Sequence, residues 1–279
     1  DLYRRGYEVL KLDPLDLGGS LRYNPLERAQ TFPEMNEIAH VLVQTANSAA
    51  TGLDPFWTTG AQDILAILIK CLKNHPEARR YANLPNLQYL LLSFGDGRPL
   101  IPFVTDHAPD QATFQAFRGF LSQADRTMQG MVSQAKTALS MWSDDQVAKL
   151  TATNSFRFEQ LREKKTAVFL VFPQNRIEYY SLLMNLFYTQ LFHFCLDDRA
   201  YSPRSLPVYF LLDEFGHLKI PGFSSIITTT RQRRISISIV LQSVSQLLER
   251  YGRAGAETIL NGGMASRLFL SVPDLSEAQ

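Results

Sequence analysis

In its final third the sequence reads Leu206-Pro207-Val208-Tyr209-Phe210-Leu211-Leu212-Asp213-Glu214, an apolar run that ends in two adjacent carboxylates. A short apolar run after a turn residue predicts a β strand. Because its residues are apolar at successive positions, we expect helices on both faces, as in a parallel sheet. Open α/β sheets bind ligands beyond the carboxyl ends of their strands. Asp213 and Glu214 are therefore predicted to lie at a ligand site.

The run has the form of a Walker B motif. In P-loop ATPases the first acid holds the hydration shell of Mg²⁺, and the next orients the water that attacks the γ-phosphate. We therefore predict that Asp213 and Glu214 are catalytic, with Asp213 also binding nucleotide and holding Mg²⁺ through water. The alternative for this motif alone is a strand that ends in two solvated acids capping the next turn.

Two downstream positions extend the hypothesis. Gln242 follows the strand predicted over Ile235 to Leu241, where a polar amide acts as a sensor of the γ-phosphate in such enzymes. Arg231 is the candidate arginine finger, since a guanidinium matches the geometry of phosphate. We predict both as catalytic and Gln242 as nucleotide-binding. The alternatives are that Gln242 only caps the helix from Ser245 to Tyr251 and that Arg231 belongs to a basic surface turn.

Five short apolar runs bounded by turn residues are predicted as strands, and helical patterns separate them. They are Glu8 to Leu12, Thr166 to Phe172, Val208 to Leu212, Ile235 to Leu241 and Leu268 to Val272. The run from Glu178 to about Leu196 has helical periodicity and lies between two of them, which predicts a right-handed βαβ crossover. The sequence thus predicts an α/β fold with a mostly parallel sheet.

Residues 75–154 interrupt this alternation, because they have helical runs and almost no strand pattern. We predict an inserted all-α domain there, between the first part of a nucleotide-binding domain (residues 1–74) and its second part (residues 155–279). Upstream of the insertion, Thr31-Phe32-Pro33-Glu34 is a capping-box pattern that predicts a helix start. Asp54-Pro55 is predicted to cap a second helix.

Composition limits the classes of partner. The chain has 279 residues, 45% of them hydrophobic, and a formal net charge of +1, so contacts with DNA must come from local loops. Cys71 and Cys195 lie far apart in apolar helical runs, which indicates reduced core thiols. The five histidines show no ligand spacing, so we expect no zinc site and interpret them as satisfied or solvated.

Several short motifs in a fixed order carry a resemblance to a known family. Those near the carboxylates and beyond are Leu211 to Leu218, Ile220-Pro221-Gly222-Phe223, Arg231, Gln242 to Leu247, Tyr251-Gly252 and Ile259-Leu260-Asn261. Those upstream are Val9 to Pro14, Tyr23-Asn24-Pro25-Leu26 and Asp54-Pro55-Phe56-Trp57 with Ala61. Together they resemble the TraG/TraD-type coupling proteins of conjugation and type IV secretion. The resemblance spans nearly the whole chain and thins between His75 and Asn154.

The resemblance implies a RecA-like P-loop NTPase that uses ATP and Mg²⁺. It implies a homo-hexamer on the cytoplasmic face of the bacterial inner membrane, which recruits relaxase–DNA or effector proteins and delivers them to the channel components of a secretion system. The inserted helical domain is the part that such proteins are thought to present to substrate.

The departure from the family pattern is a missing loop, since no G-x-x-x-x-G-K-[ST] run occurs in the sequence. We expect that the chain begins within a domain and that this loop, its strand and the membrane-anchoring helices lie upstream. A further helix is expected beyond Gln279. The chain by itself is then expected to be inactive as an ATPase.

Other functions stay open at this point. Within the motor class the alternatives are an FtsK-like or HerA-like DNA translocase, or the other ATPase of type IV secretion. Phe215-Gly216 after the acids and the segment from Asp54 to Trp57 favour the coupling protein. From another class, a non-hydrolysing adaptor would only dock a substrate onto the channel.

Overall fold

The computed structural model describes residues 1–47, 55–93 and 100–268, and these form two compact units. One comprises residues 10–157 and 168–173 and is called the helical unit here. The other comprises residues 1–9, 158–167 and those from Gln174 on, and is called the Asp213 unit. Among the described residues, no helix is both long and apolar enough to span a bilayer.

The described strands form two pairs, β1 with β2 and β3 with β4. They are β1 (Glu8–Leu12), β2 (Thr166–Leu170), β3 (Val208–Leu212) and β4 (Ile235–Ile239). The register of the second pair is parallel, with Val208 opposite Ile235 and Leu212 opposite Ile239. The strands predicted at these four places are confirmed, and β2 and β4 end two residues earlier than predicted. The strand predicted from Leu268 to Val272 lies, apart from Leu268, outside the described residues.

Eight helices are described in the helical unit. They are α1 (Pro25–Arg28), α2 (Phe32–Ala46), α3 (Pro55–Asn74), α4 (Leu84–Leu92), α5 (Leu100–His107), α6 (Gln111–Leu121), α7 (Asp125–Ala138) and α8 (Asp145–Thr151). The predicted capping box starts α2, because the Thr31 hydroxyl accepts from the Glu34 N–H and the Glu34 carboxylate accepts from the Thr31 N–H. The predicted Asp54 cap of α3 lies outside the described residues.

Helix α3 is the centre of the helical unit, because α2, α5, α6 and α7 all pack against it. Its buried face includes Ile64, Leu68 and Leu72. The inserted domain predicted over residues 75–154 stays a prediction. In the structure α3, which lies before that predicted boundary, packs together with helices that lie beyond it.

Close approach of α3 and α7 depends on a glycine, and this gives a first testable prediction. A Cβ atom on Gly130 would lie 2.5 Å from the Trp57 ring. Overpacking costs about 1–3 kcal/mol, and the better helix propensity of alanine offsets at most about 1 kcal/mol. We therefore expect Gly130→Ala to lower the midpoint of thermal unfolding measured by circular dichroism.

Gly119 provides the matched control, because it lies in α6 and a Cβ there would meet nothing within 4 Å. Gly119→Ala is expected to leave the unfolding midpoint unchanged or to raise it. If both substitutions raised the midpoint, the tight contact between α3 and α7 would be wrong.

Four helices are described in the Asp213 unit, α9 (Gln160–Glu163), α10 (Ile177–Leu196), α11 (Phe223–Thr229) and α12 (Ser245–Glu257). The predicted helix between two strands is confirmed as α10. Its Phe192 ring stacks on Phe210 of β3 with centroids 4.2 Å apart. Cys195 on α10 and Cys71 on α3 are free, buried thiols, and burial raises the pKa of each to about 12. The contact of Phe192 with Phe210 joins α10 to β3, the strand that carries the two carboxylates.

Candidate functional site

The strand β3 alternates between buried and exposed side chains. Val208, Phe210 and Leu212 are buried, whereas Tyr209 and Leu211 are 68% and 78% exposed. The expectation that both faces are covered is therefore wrong for the described residues. The physical reason is that α10 covers only one face through Phe192 and Phe210.

Backbone pairing continues past the end of β3 and places the two acids beside the end of β4. The Val240 N–H donates to the Leu212 carbonyl at 3.0 Å, and the Phe215 N–H donates to the Val240 carbonyl at 3.1 Å. Between these bonds the chain turns sharply, since Glu214 has φ 52° and ψ 37°. A non-glycine residue in this left-handed region costs about 1–3 kcal/mol and persists only where its surroundings hold it.

Two amide side chains contact the Glu214 carboxylate. Gln242 Nε2 donates at 3.2 Å to Oε2, and Gln174 Nε2 lies 3.5 Å from Oε1. Gln242 is further held by its backbone N–H, which donates at 3.0 Å to Gln246 Oε1. The Gln242 side chain therefore points to Glu214 and not to the first turn of α12. Its role as a γ-phosphate sensor stays a prediction.

The Asp213 carboxylate is exposed and accepts a hydrogen bond of 3.1 Å from the Glu214 N–H. Exposed carboxylate oxygens suit Mg²⁺, which binds hard oxygen ligands and keeps several of its waters. The residue therefore fits the metal role predicted from the sequence, and that role stays a prediction. No group of three metal-binding side chains occurs within the described parts of the chain.

The role of Arg231 as an arginine finger stays a prediction. Arg231 lies in a single helical turn over Thr230–Arg233, and its side chain lies outside what the structure describes. Its neighbours fold back on the chain: Arg233 pairs with Asp198, and Arg234 Nη1 donates at 3.0 Å to the Ser205 carbonyl. For those two arginines the basic surface turn is the better interpretation.

An aromatic cluster supports the turn that follows the acids. Phe215 is fully buried, and its ring lies 4.6 Å from that of Phe223 and 5.7 Å from that of Tyr251. The Tyr251 hydroxyl accepts from the Ile220 N–H at 3.1 Å, and burial raises the pKa of this tyrosine above its ordinary value. A Cβ on Gly216 would lie 2.5 Å from the end of the Gln246 side chain, so a larger residue there would displace the oxygen that accepts from the Gln242 N–H.

Three residues near Glu214 were not predicted from the sequence. Gln174 follows β2, and the rule that sites lie beyond strand ends would have identified it. His217 was interpreted only as a satisfied or solvated histidine, and Glu178 was noted only as the start of a helix. In the structure His217 Nε2 lies 3.7 Å from Glu214 Oε2, and its Nδ1 lies 2.9 Å from Glu178 Oε1.

Comparison with known proteins identifies the class to which this fold and site belong. Residues 3–277 match the family model of the type IV secretory system conjugative DNA transfer proteins. The chain therefore belongs to that family, as the sequence resemblance predicted.

Individual relatives agree with this assignment. The chain is 26% identical over 290 residues to the protein VirD4 of Rhizobium radiobacter, and the match covers 96% of this chain and 39% of that protein. It is 25% identical over 280 residues to VirD4 of Rhizobium rhizogenes, covering 40% of that protein. The chain thus spans about two fifths of the length of these relatives.

Solved structures of the plasmid coupling protein TrwB have a similar fold. The structure in complex with ADP and Mg²⁺ has a TM-score of 0.69 at 15% identity, with 91% of this chain and 57% of that one covered. The complex with a non-hydrolysable GTP analogue gives a TM-score of 0.68. The predicted RecA-like P-loop NTPase fold is confirmed by this likeness.

Proposed function

We propose that the protein to which this chain belongs is an ATP-driven coupling protein for a type IV secretion or conjugation channel. The observation that carries the proposal is the contact of Gln242 with Glu214 beyond the ends of the parallel strands β3 and β4. Membership of the family and the likeness of fold to TrwB, whose structures contain nucleotides, support it.

Each member of the cluster has a distinct role in this proposal. Bound ATP with Mg²⁺ would supply the phosphoryl group and the cation that offsets its charge. Asp213 would hold the cation through water, since its carboxylate is exposed. Glu214 would orient the attacking water and take up its proton. Gln242, which donates to Glu214, would sense the γ-phosphate, and Arg231 would reach the nucleotide of a neighbouring subunit.

The phosphate-binding loop has to come from outside this sequence, which contains no G-x-x-x-x-G-K-[ST] run. We therefore propose that hydrolysis requires the longer protein. The 279-residue chain alone is expected to show no ATP turnover.

Membership of the family supports a proposal for the wider assembly, and the near-neutral net charge of +1 bears on how partners are recognised. We propose a homo-hexamer at the cytoplasmic face of the bacterial inner membrane, anchored by segments outside this sequence. Its partners are relaxase or effector proteins, DNA and channel components. Because the chain has no strong overall field, recognition of these partners depends on local surfaces.

A mating assay tests the function. We expect that deletion of the gene in donor cells abolishes transfer of the conjugative element and that the gene supplied in trans restores it. Channel assembly and replication of the element, measured in the same cells, should stay unchanged. Undiminished transfer from the deletion strain would overturn the proposed function, and loss of channel assembly would indicate a structural role instead.

A further inference from the structure

His217 lies between two carboxylates that belong to different elements. It is in the helical turn Phe215–His217, three residues after Glu214, and its imidazole is 28% exposed. Nδ1 is 2.9 Å from Glu178 Oε1, which is within hydrogen-bond distance. Nε2 is 3.7 Å from Glu214 Oε2, which is within the range of an ion pair. The hydrogen bond to Glu178 thus sets the ring so that its other nitrogen faces Glu214.

Glu178 is itself held by an arginine. Arg250 of α12 donates from Nη2 to Glu178 Oε1 at 2.7 Å, and from Nε to the Gly216 carbonyl at 3.0 Å. A guanidinium presents its donors in a rigid fork, so one side chain fixes both a carboxylate on α10 and the backbone of the turn. The Arg250 side chain is 21% exposed and that of Glu178 is 58% exposed, so solvent screens part of the attraction between them and the geometry of the hydrogen bonds is what fixes the turn.

The turn that Arg250 and His217 anchor begins at Glu214, whose backbone is strained. Glu214 has a left-handed backbone, and without contacts that hold it this conformation is unfavourable by about 1–3 kcal/mol. Three side chains approach its carboxylate: Gln242 and Gln174, which follow strands β4 and β2, and His217 of the turn that follows Glu214. Together these contacts restrict where the carboxylate points.

We propose that His217 is a positioning residue, which connects Glu214 to the Glu178–Arg250 pair and so fixes where the Glu214 carboxylate points. This inference rests on the proposed ATPase function. It assigns to the reaction three residues, His217, Glu178 and Arg250, that act through the Glu214 carboxylate. Misplacing a catalytic group by about 1 Å can lower a rate by on the order of 100-fold. Loss of the connection should therefore lower kcat and leave nucleotide binding intact.

The test uses the full-length protein and measures kcat, KM for ATP and the unfolding midpoint. We expect His217→Ala to lower kcat by about 10- to 100-fold, with KM within about twofold of wild type. Glu178→Gln leaves Glu214 and its direct contacts in place but weakens the hold on His217, so it should also lower kcat. His40→Ala, at an exposed histidine of α2, is the control and should not change either constant.

A double variant decides whether the residues act as one connected unit. If they do, His217→Ala with Glu178→Gln should lose no more in kcat than His217→Ala alone, because coupled residues are not additive. Multiplicative losses, or a KM that rises as much as kcat falls, would overturn the positioning role. A His217→Ala protein that matches wild type would overturn it while the ATPase stands. A wild type without turnover would show that the proposed function, and the positioning role with it, is wrong.

Discussion

Replacement of Glu214 by glutamine in the full-length protein is expected to abolish steady-state ATP hydrolysis. General-base catalysis contributes about 10²- to 10⁴-fold to a rate, so we expect kcat to fall by that factor. The amide has nearly the shape of the carboxylate but one acceptor oxygen fewer, so either Gln242 or Gln174 has to turn its own side-chain oxygen towards the new NH₂ group. Nucleotide binding, measured with a fluorescent ATP analogue, should therefore stay within about twofold of wild type, because only the proton acceptor is removed.

Glu249→Gln is the matched control, since Glu249 is an exposed glutamate of α12 and receives the same chemical change. It should hydrolyse ATP at the wild-type rate. If Glu214→Gln also kept that rate, Asp213 and Glu214 would be a structural turn and the non-hydrolysing adaptor would be the better function. Loss of activity together with loss of nucleotide binding would indicate that Glu214 is needed for folding of the turn.

Local signals in the sequence predicted the elements that position the site. The strand β3 begins and ends where predicted, because Pro207 precedes the apolar run and two acids follow it. The start of α2 was predicted from Thr31 and Glu34, whose reciprocal bonds form within one turn of helix. Such signals involve residues within four positions of each other, so a single sequence contains them completely.

Contacts between distant segments could not be predicted in the same way. Glu178 and His217 are 39 positions apart, and nothing in either segment specifies that they meet. Their contact depends on how α10 packs against the turn after β3, which is a tertiary property. The exposed side chains of Tyr209 and Leu211 are a similar case, because an apolar pattern predicts a buried face only where another element covers it.

The contact of Gln242 with Glu214 lies between these two cases. Both residues were predicted as candidates, because each follows a predicted strand, and parallel strands end at the same edge of a sheet. The sequence did not specify that β3 and β4 are neighbours. The observed register, with Leu212 opposite Ile239, provides this and leaves the two side chains 3.2 Å apart. The sequence therefore predicted both residues but not the pairing of β3 with β4 that brings them together.

The second large effect is expected from Arg162, a buried arginine that joins the end of α10 to the start of β3. Its side chain is almost completely buried, at 5% exposure. Nη2 donates to the Cys195 carbonyl at 3.1 Å and Nη1 to the Leu206 carbonyl at 3.0 Å. The first of these carbonyls lies in the last turn of α10, where no helical N–H is available to it. Arg162 thus satisfies a buried acceptor at the end of α10 and a partly buried one just before β3.

We expect Arg162→Ala to destabilise the chain by about 3 kcal/mol, because hydrogen bonds from a charged donor are lost and two carbonyls, one of them buried, are left without this donor. The loss is less than the sum of the bonds, since burial also disfavours the charged form and lowers the pKa of Arg162. For a chain of this size each kcal/mol of destabilisation lowers the midpoint of thermal unfolding by about 2–4 °C, so we expect the midpoint to fall by roughly 6–12 °C. The unfolding midpoint of Arg162→Lys should lie between those of wild type and Arg162→Ala, because an ammonium keeps the charge but cannot reproduce the forked donors of a guanidinium.

Arg199→Ala controls for the loss of an arginine as such. Its side chain is 85% exposed and pairs with Asp197 at 2.8 Å, and exposed pairs of this kind contribute about 0–1 kcal/mol. Its unfolding midpoint should therefore stay within a few degrees of wild type. Equal shifts for the two variants would contradict a specific role for Arg162. A large shift for Arg162→Ala alone would show that the anchoring of β3, and hence of Asp213 and Glu214, depends on two backbone carbonyls and one buried charge.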